Sequence, residues 1–478
     1  MRRAVVVSLA VAALSLLVVA PAPSYDPWAW LGWGDQLGVG QLSTVEGPSF
    51  KPLPVAVCAL LAPLGPAAVW LWVGLARTGA VLAVVLAYRA ARRLAPPGGF
   101  PVAGGLAALG VVLCGRYLEL AAVGLSEGLL LALALAGAEA WRSGRPRWSL
   151  ACAVAAGLVR VETWPFLVAA AVAAWRRRPQ DRVLLLAAGL VVPLAWIVPE
   201  VVGSGQALRS ATRARMAVPG QPGEADFPVL ASLGVALALP LWPLWAGVVL
   251  AAGTAWRERD RQSGLLLVPA GVGLAWIAIV AAMARAGFSG EPRYALPGAA
   301  LVAVSGAAGL VVALRRVAPA PRLAGVLAAL VVTAAALPRV GDVAAIRSGQ
   351  AYQWRLQADL AAAVSRVGGA EEILACGQPY VGPLRGTLLA HHLGVPRQVV
   401  EPDRVPQPPG LVFRSALHPG EVSTPAVPPA FRPVARVGLW QVFAGCERLA
   451  ATELSGSRGS DLAGGRPGAG APGGRPPR

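Results

Sequence analysis

Long apolar runs separated by short arginine-rich loops dominate this chain of 478 residues. A run of about 20 apolar residues is long enough to cross the hydrocarbon core of a bilayer as a helix. The first run lies within residues 1–20, and further runs follow at about 67–88, 100–115, 120–140, 183–202, 229–255, 264–284, 295–314 and 323–338. The pattern therefore predicts an α-helical polytopic membrane protein.

The composition agrees with this prediction, since 56% of the residues are hydrophobic and only 14% are charged. The formal net charge of +18 would also suit a nucleic-acid-binding protein. Basic patches interleaved with aromatic residues are missing, however, so we expect no nucleic-acid partner. The arginines instead lie in short loops, where the positive-inside rule places them in the cytoplasm. The clusters are Arg89/Arg92/Arg93, Arg142/Arg145/Arg147, Arg176/Arg177/Arg178/Arg182, Arg257/Arg259/Arg261 and Arg315/Arg316/Arg322.

The segment 149–175 decides the topology, because arginine clusters flank it on both sides. Two helices of about 12 residues would each span about 18 Å, which is too short to cross the core fully. We favour a hairpin of two short helices that turns near 160–163, and a single tilted span is the alternative. The hairpin gives about 11 transmembrane segments and an extracytoplasmic C-terminal region. We interpret the first run as a retained anchor, with a signal peptide cleaved near 20–22 as the alternative.

The composition changes after residue 338, so the chain is divided into three parts. Residues 1–338 form a membrane domain with a first outside loop at 23–66, residues 339–450 form a small extracytoplasmic α/β domain, and residues 451–478 form a disordered Gly-, Pro- and Arg-rich tail. Cys376 and Cys446 form a disulfide in an oxidising compartment, or else remain two free buried thiols. His391 and His392 lack ligand spacing and are expected on the surface.

The first outside loop contains the only lysine of the chain, Lys51, among 42 lysine and arginine residues. Asparagine is absent altogether, and Gly and Pro are abundant, as expected for a genome whose codon bias replaces Lys with Arg. A lysine that survives this bias is a candidate for a specific role, and survival by chance is the alternative. Asp26 lies in the same loop, just after the first span, so an acid and the lysine share one lipid–water boundary.

The same loop has a helical pattern near its start. Trp30, Trp33 and Leu37 follow helical spacing and predict a short amphipathic helix on the membrane surface. Asp26, which precedes a proline, is either the N-cap of this helix or a functional acid. Asp35 is either a member of its solvated polar face or a second functional acid.

Four segments together resemble the GT-C superfamily of polytopic glycosyltransferases, which use polyprenyl-phosphate-linked sugars. Asp26 precedes the Lys-Pro-Leu-Pro stretch at 51–54, and Gly65 and Arg77 follow it. The Ser-Glu pair at 126–127 is similar to the second acidic site of the family, and the segment 288–294 is similar to its late outside loop. The likeness is greatest to protein O-mannosyltransferases and lipid A aminoarabinose transferases, and it extends over roughly the first 300 residues.

The resemblance implies a GT-C-like fold and an inverting transfer of a sugar from a polyprenyl-phosphate donor. Asp26 is then the general base that removes the proton of the acceptor. Lys51 stabilises the departing phosphate, with Arg293 and Arg116 as helpers. The acceptor is an extracytoplasmic glycan, lipid or protein, and the site is expected on the outer face of the plasma membrane.

The roles of the supporting residues are left with alternatives. Many family members have Asp-Glu where this chain has Asp-Pro, so either Asp35 or Glu46 supplies the second carboxylate. Glu127 binds a substrate hydroxyl or a metal, or else pairs with the arginine at position 116. Arg160 and Glu162 either form an ion pair that lines the cavity or solvate a turn. No cofactor or metal site is assigned, and a divalent metal is left open.

A non-catalytic transporter or scaffold for lipid-linked glycans is the alternative function. A transporter is expected to have ionisable groups near the bilayer midplane and matched broken helices. The charged residues here concentrate near predicted helix ends, and no such repeat is evident. A glycine-rich phosphate loop of the nucleotide type is also missing, which argues against a nucleotide-sugar donor.

Overall fold

The computed structural model of the chain describes residues 1–95, 100–216, 219–259, 261–318, 320–401 and 404–450. The chain divides into two compact units. Unit 1 comprises Met1–Gln357 and Leu384–Val399, and unit 2 comprises Ala358–Pro383 and the residues from Val400 onwards. The predicted tail at 451–478 lies outside the described residues.

Unit 1 is helical. Its helices are α1 (Arg2–Val18), α2 (Tyr25–Gly38), α3 (Pro52–Leu61), α4 (Ala67–Leu94), α5 (Phe100–Val112), α6 (Tyr117–Ala122), α7 (Glu127–Arg142), α8 (Pro146–Gly157), α9 (Trp164–Arg177), α10 (Arg182–Ser204), α11 (Arg209–Ala214), α12 (Pro228–Ala238), α13 (Trp242–Glu258), α14 (Arg261–Leu265), α15 (Val268–Arg285), α16 (Pro292–Val317) and most of α17 (Pro321–Arg366), which runs through Pro338.

The predicted membrane character is confirmed by the long apolar helices. Within the described residues, five helices are long and apolar enough to cross a membrane, or six if a bent pair counts as one span. That pair, α12 and α13, corrects the single run predicted at 229–255, because the chain bends by 97° between them. Pro240 in the connection and Pro243 in the first turn of α13 lack the N–H that a continuous helix needs. The run predicted at 120–140 is also divided, between α6 and α7.

The segment 149–175 forms two helices rather than one continuous helix. Helix α8 has 12 residues and ends at Gly157, and α9 has 14 residues and begins at Trp164. A 3-10 turn at Val161–Thr163 lies between them. Pro165 occupies the first turn of α9, where a missing N–H costs nothing. The turn therefore lies where the sequence predicts it.

Helix α16 is the centre of unit 1. In its apolar window 89% of the residues are buried, against 22% to 50% in the other four long helices. Small residues allow this, as in other membrane helix pairs. A Cβ added at Gly306 would lie 2.0 Å from the carbonyl oxygen of Leu244 on α13, and one at Gly298 would lie 2.5 Å from that of Gly273 on α15. This packing fixes the first turn of α16, where Arg293 lies.

Unit 2 contains a small sheet, as predicted for the C-terminal region. Its strands β1 (Gln378–Val381), β2 (Gly410–Arg414), β3 (Arg432–Val437) and β4 (Trp440–Ala444) have the order β1-β2-β4-β3. The β1–β2 pair is parallel and the other pairs are antiparallel. Helix α18 (Gly369–Cys376) precedes the sheet and α20 (Glu447–Ala450) follows it, while α19 (Gly386–Leu393) belongs to unit 1. A disulfide joins Cys376 to Cys446, so the two ends of the sheet segment are covalently linked.

Candidate active site

Asp26 lies in the first turn of α2 and is held by Arg293. The Nη1 of Arg293 donates to the Oδ2 of Asp26 at 2.9 Å, and its Nε donates to Glu291 at 2.7 Å. The side chains of Asp26 and Arg293 are 12% and 18% exposed, so the pair is largely buried but still reached by solvent. The alternative that Asp26 is an N-cap is wrong, because α2 begins at Tyr25 and the N-cap residue is Ser24.

A second guanidinium, that of Arg160, is buried between two carboxylates. Its Nη2 donates to Glu127 at 2.7 Å and its Nη1 donates to Glu162 at 2.9 Å, and all three side chains are at most 5% exposed. The ring of Tyr294 joins this group to the first one, since the guanidinium carbons of Arg160 and Arg293 lie 4.1 and 5.2 Å from its centroid. Segments far apart in the sequence therefore form one charged cluster.

Lys51 adds an ammonium to this cluster. The residue is 7% exposed, and its Nζ lies 3.4 Å from the hydroxyl of Ser126 and 4.8 Å from the ring centroid of Trp30. Within the described residues, no carboxylate oxygen lies within 4 Å of this nitrogen. Burial, followed by the neighbouring charge of Arg160, lowers the pKa of Lys51 to about 8. Lys51 is thus a buried cation whose charge has no direct counter-ion.

The backbone around Lys51 is fixed by neighbouring segments. The N–H of Phe50 donates to the hydroxyl of Ser210 at 2.7 Å, and the N–H of Leu53 donates to the carbonyl of Leu158 at 3.0 Å. Lys51 itself is extended (φ −126°, ψ 107°), as expected for a residue that precedes a proline. The residues on both sides are therefore anchored, and the ammonium is held at one place.

Three predicted site residues lie outside the cluster. Asp35 is nine residues beyond Asp26 on the same helix, so the two carboxylates are separated by about 14 Å along its axis. Glu46 is exposed and acts electrostatically on Arg209. Arg116 has a largely exposed side chain that pairs with Glu119, so its predicted alternative pairing with the acid at 127 is wrong. The charge of Arg293 nevertheless acts on Arg116, which places it near the rim of the cluster.

The histidine pair is not a surface feature, which corrects the prediction. Helix α19 packs on α2, where the rings of His391 and His392 lie 4.9 and 6.0 Å from the ring of Trp28. The Nδ1 of His391 lies 3.2 Å from the Oδ2 of Asp35. Burial, followed by the charge of His391, lowers the pKa of His392 to about 4. Asp35 therefore faces α19 and does not supply the second carboxylate near Asp26.

The predicted amphipathic helix exists, but its apolar face is covered by protein. Trp30 and Trp33 are 0% and 2% exposed. Trp30 packs edge-on against Trp72 of α4, and the indole N–H of Trp33 donates to the carbonyl of Ser43 at 2.9 Å. Only Leu37 of the three predicted positions is exposed, at 40%. The periodicity identifies the helix and its apolar face correctly, and that face packs on protein.

Arg77 is buried in α4 and connects the end of α1 to a segment next to the site. Its Nη1 donates to the carbonyls of Ser15 and Val19 at 3.1 and 2.8 Å, and its Nη2 donates to those of Ala20 and Ala122 at 3.2 and 3.1 Å. The carbonyls at the C-terminal end of a helix have no partners within the helix. Arg77 thus ties the end of α1 to the segment that precedes Glu127 of the cluster.

The cluster contains residues that the sequence does not single out. Glu291, Tyr294 and Ser126 contact predicted residues directly. They lie in segments that carry the family resemblance, but the sequence assigns them no role of their own. Within the described ranges, no group of three or more His, Cys, Asp or Glu side chains could hold a metal ion. One oxygen of Glu127 is instead engaged by Arg160. The arrangement offers anion binding by an ammonium and a guanidinium, next to a carboxylate that can accept a proton.

A comparison with solved structures confirms the predicted resemblance at the level of the fold. In particular, the chain is similar to ArnT from Cupriavidus metallidurans, whose crystal structure was determined with undecaprenyl phosphate bound. The TM-score is 0.52 and the identity 18%, over 93% of this chain and 98% of ArnT. At this identity the likeness concerns the fold alone.

A weaker likeness is found to AglB, an oligosaccharyltransferase from Archaeoglobus fulgidus whose structure contains an inhibitory peptide and a dolichol-phosphate. The TM-score is 0.45 and the identity 15%, over 83% of this chain and 64% of that chain. Neither a protein-family model nor a curated protein matches the sequence.

Proposed function

We propose that this chain is an inverting glycosyltransferase that moves a sugar from a polyprenyl-phosphate donor to an extracytoplasmic acceptor. The observation that carries the proposal is Lys51, a buried ammonium without a direct counter-ion among the described residues, on which the charges of Asp26 and Arg293 act. A buried charge is costly unless it is paired. An anionic ligand that enters the cluster would supply the missing partner.

The donor phosphate is the proposed partner of Lys51 and Arg293. The donor is a phosphodiester with one negative charge, and cleavage of the bond between the anomeric carbon and the phosphate oxygen leaves a second charge on the phosphate. A preorganised ammonium and guanidinium stabilise this developing charge. Arg116, near the rim, is proposed to assist when the donor enters. The fold-level likeness to an ArnT structure that holds undecaprenyl phosphate agrees with such a donor.

Asp26 is proposed to act as the general base. The acceptor oxygen attacks the anomeric carbon from the face opposite the phosphate, and Asp26 takes its proton as the new bond forms. In the free enzyme Arg293 is shared between Asp26 and Glu291. When Arg293 turns to the donor phosphate, the carboxylate of Asp26 loses part of this interaction and becomes a better base.

The proposed extracytoplasmic location of the site is supported by the helix ends. Helices α7 and α9 end at Arg142 and Arg177, whereas each begins next to a cluster residue, Glu127 or Glu162. If the arginine ends are cytoplasmic, the cluster lies on the opposite side of the plasma membrane. The first outside loop (23–66) and residues 339–450 would share that side, and the disulfide of unit 2 agrees with an oxidising compartment. A total of about 11 membrane segments is part of this proposal.

The lipids that copurify with the protein provide the direct test. We expect mass spectrometry to detect a polyprenyl phosphate bound to the wild type and to the control Asp35→Asn, and to detect little in Lys51→Ala. Purified wild type should also transfer a labelled sugar from a polyprenyl-phosphate donor. Equal lipid content in Lys51→Ala would remove the anion-binding role. Bound lipid without any transfer would instead favour the scaffold or transporter alternative.

A further inference from the structure

A cavity at the arginine-rich ends of the helices has no role in the proposed reaction. It lies between the α7–α8 and α9–α10 connections and is lined by Arg145, Arg147, Trp148, Arg178 and Asp181, together with Pro146 and Gln180. Its volume of about 470 Å³ falls within the range of sites that take small molecules or headgroups. Three guanidinium groups and one carboxylate give its walls a net positive charge.

The single acid of this arginine cavity positions two of the arginines. Asp181 is 9% exposed, and its two oxygens lie 3.4 Å from the Nε of Arg147 and 3.6 Å from the Nη1 of Arg178. Arg178 also lies over the ring of Trp141, with its guanidinium carbon 5.8 Å from the centroid. Arg145 has no side-chain partner among the described residues. The cavity therefore holds two fixed cations and one cation that is free to bind an anion.

An apolar stripe leads away from the arginine cavity along α10. Val183, Leu186, Leu190 and Leu194 are 44% to 76% exposed, and their spacing places them on one face of the helix. The stripe extends for about 17 Å, which is close to the length of an acyl chain. Trp148, at the mouth of the cavity, is 69% exposed, as is usual for indole rings at the level of lipid headgroups.

We infer that the arginine cavity binds the phosphodiester headgroup of an anionic phospholipid whose acyl chain lies along the α10 stripe. A free phosphate would bind the guanidinium groups but would make no contact with the α10 stripe. A zwitterionic lipid would place the positive group of its headgroup in a cavity that is already positively charged. Basic pockets between membrane helices are known to suit anionic headgroups. The inference depends on the membrane location of the chain and not on the proposed transferase reaction.

Lipid titration of the full-length purified protein tests the inference. By native mass spectrometry in detergent, we expect phosphatidylglycerol to bind more tightly than phosphatidylcholine, and added inorganic phosphate not to displace it. Arg145→Gln combined with Arg147→Gln should weaken phosphatidylglycerol binding by about thirtyfold, from the usual contribution of each arginine near an anionic lipid. Arg92→Gln combined with Arg257→Gln removes the same charge from exposed positions outside the cavity and should leave binding unchanged.

The single variant Arg145→Gln is a second test that should not disturb the fold, because this side chain has no partner among the described residues. It should weaken phosphatidylglycerol binding by about fivefold. Equal binding of phosphatidylcholine, displacement by inorganic phosphate or an equal loss in the Arg92/Arg257 control would each overturn the inference. If the purified protein binds phosphatidylglycerol as expected but transfers no sugar, the proposed function fails and the lipid-site inference stands.

Discussion

The two ends of the helices in unit 1 use arginine in different ways. At one end Arg160 is buried and Arg293 is partly buried, and each is held by two carboxylates. At the other end Arg142, Arg145 and Arg147 are exposed, and only the last has an ion-pair partner among the described residues. The same side chain therefore takes part in a fixed charge cluster at one end and is exposed at the other. Burial, rather than the number of arginines, distinguishes the two.

The largest expected effect is at the carboxylate of the buried end. Asp26→Asn removes the proposed base while keeping the shape of the side chain, and we expect transfer to fall by about 10² to 10⁴-fold, the usual range for general-base catalysis. Steady-state transfer of a labelled sugar measures this. The control Asp35→Asn changes an acid on the same helix that faces α19, and it should stay near the wild-type rate. Wild-type turnover in Asp26→Asn would contradict the assignment.

The next effect concerns stability. Arg160→Met leaves the buried carboxylates of Glu127 and Glu162 without their partner, and breaking a buried pair in this way costs about 3 to 5 kcal/mol. Thermal or chemical unfolding in detergent should show this loss. Adding Glu127→Gln and Glu162→Gln removes the stranded charges, so the triple variant should recover part of it. No recovery would mean that the aromatic contact of Arg160 with Tyr294 matters more than its ion pairs.

Lys51 gives a pH-dependent test. Its pKa is lowered to about 8, mainly by burial, so the ammonium is present below pH 8 and is lost as the pH rises through this value. Donor phosphate binding needs the ammonium, and we expect KM for the donor to rise about tenfold per pH unit above pH 8. Lys51→Arg should flatten the profile, because a guanidinium stays charged. Parallel profiles for the two proteins would exclude Lys51 from phosphate binding.

The smallest effect is expected at the exposed end. Arg142→Gln removes a charge without an ion-pair partner among the described residues, and it should change the free energy of unfolding by less than about 0.5 kcal/mol. The unfolding experiment used for Arg160→Met provides the direct comparison. A loss as large as that of Arg160→Met would show that the two ends do not differ in the way that burial indicates.

Much of the site is predictable because its residues adjoin the ends of apolar runs. Asp26, Lys51 and Arg293 could be proposed together because the family resemblance singles out their segments, and hydrophobic pattern and arginine placement assign these loops to one side. The bend at Pro240 could also be predicted locally, because a proline interrupts a helix, although the apolar run around it is continuous. The contact between Asp35 and His391 could not be predicted, because it depends on the packing of α19 on α2, two helices that are some 350 residues apart in the sequence. Likewise, periodicity identifies the face of Trp30 and Trp33 but not what covers it.

The contacts of Arg77 have a consequence for maturation of the chain. Most of the oxygens that accept its hydrogen bonds belong to residues 15–20, at the end of α1. If a signal peptidase removed those residues, the guanidinium would keep only the carbonyl of Ala122 and would be stranded in an apolar interior at a large energetic cost. The contacts of Arg77 therefore agree with the prediction that the N-terminal helix is retained in the folded protein.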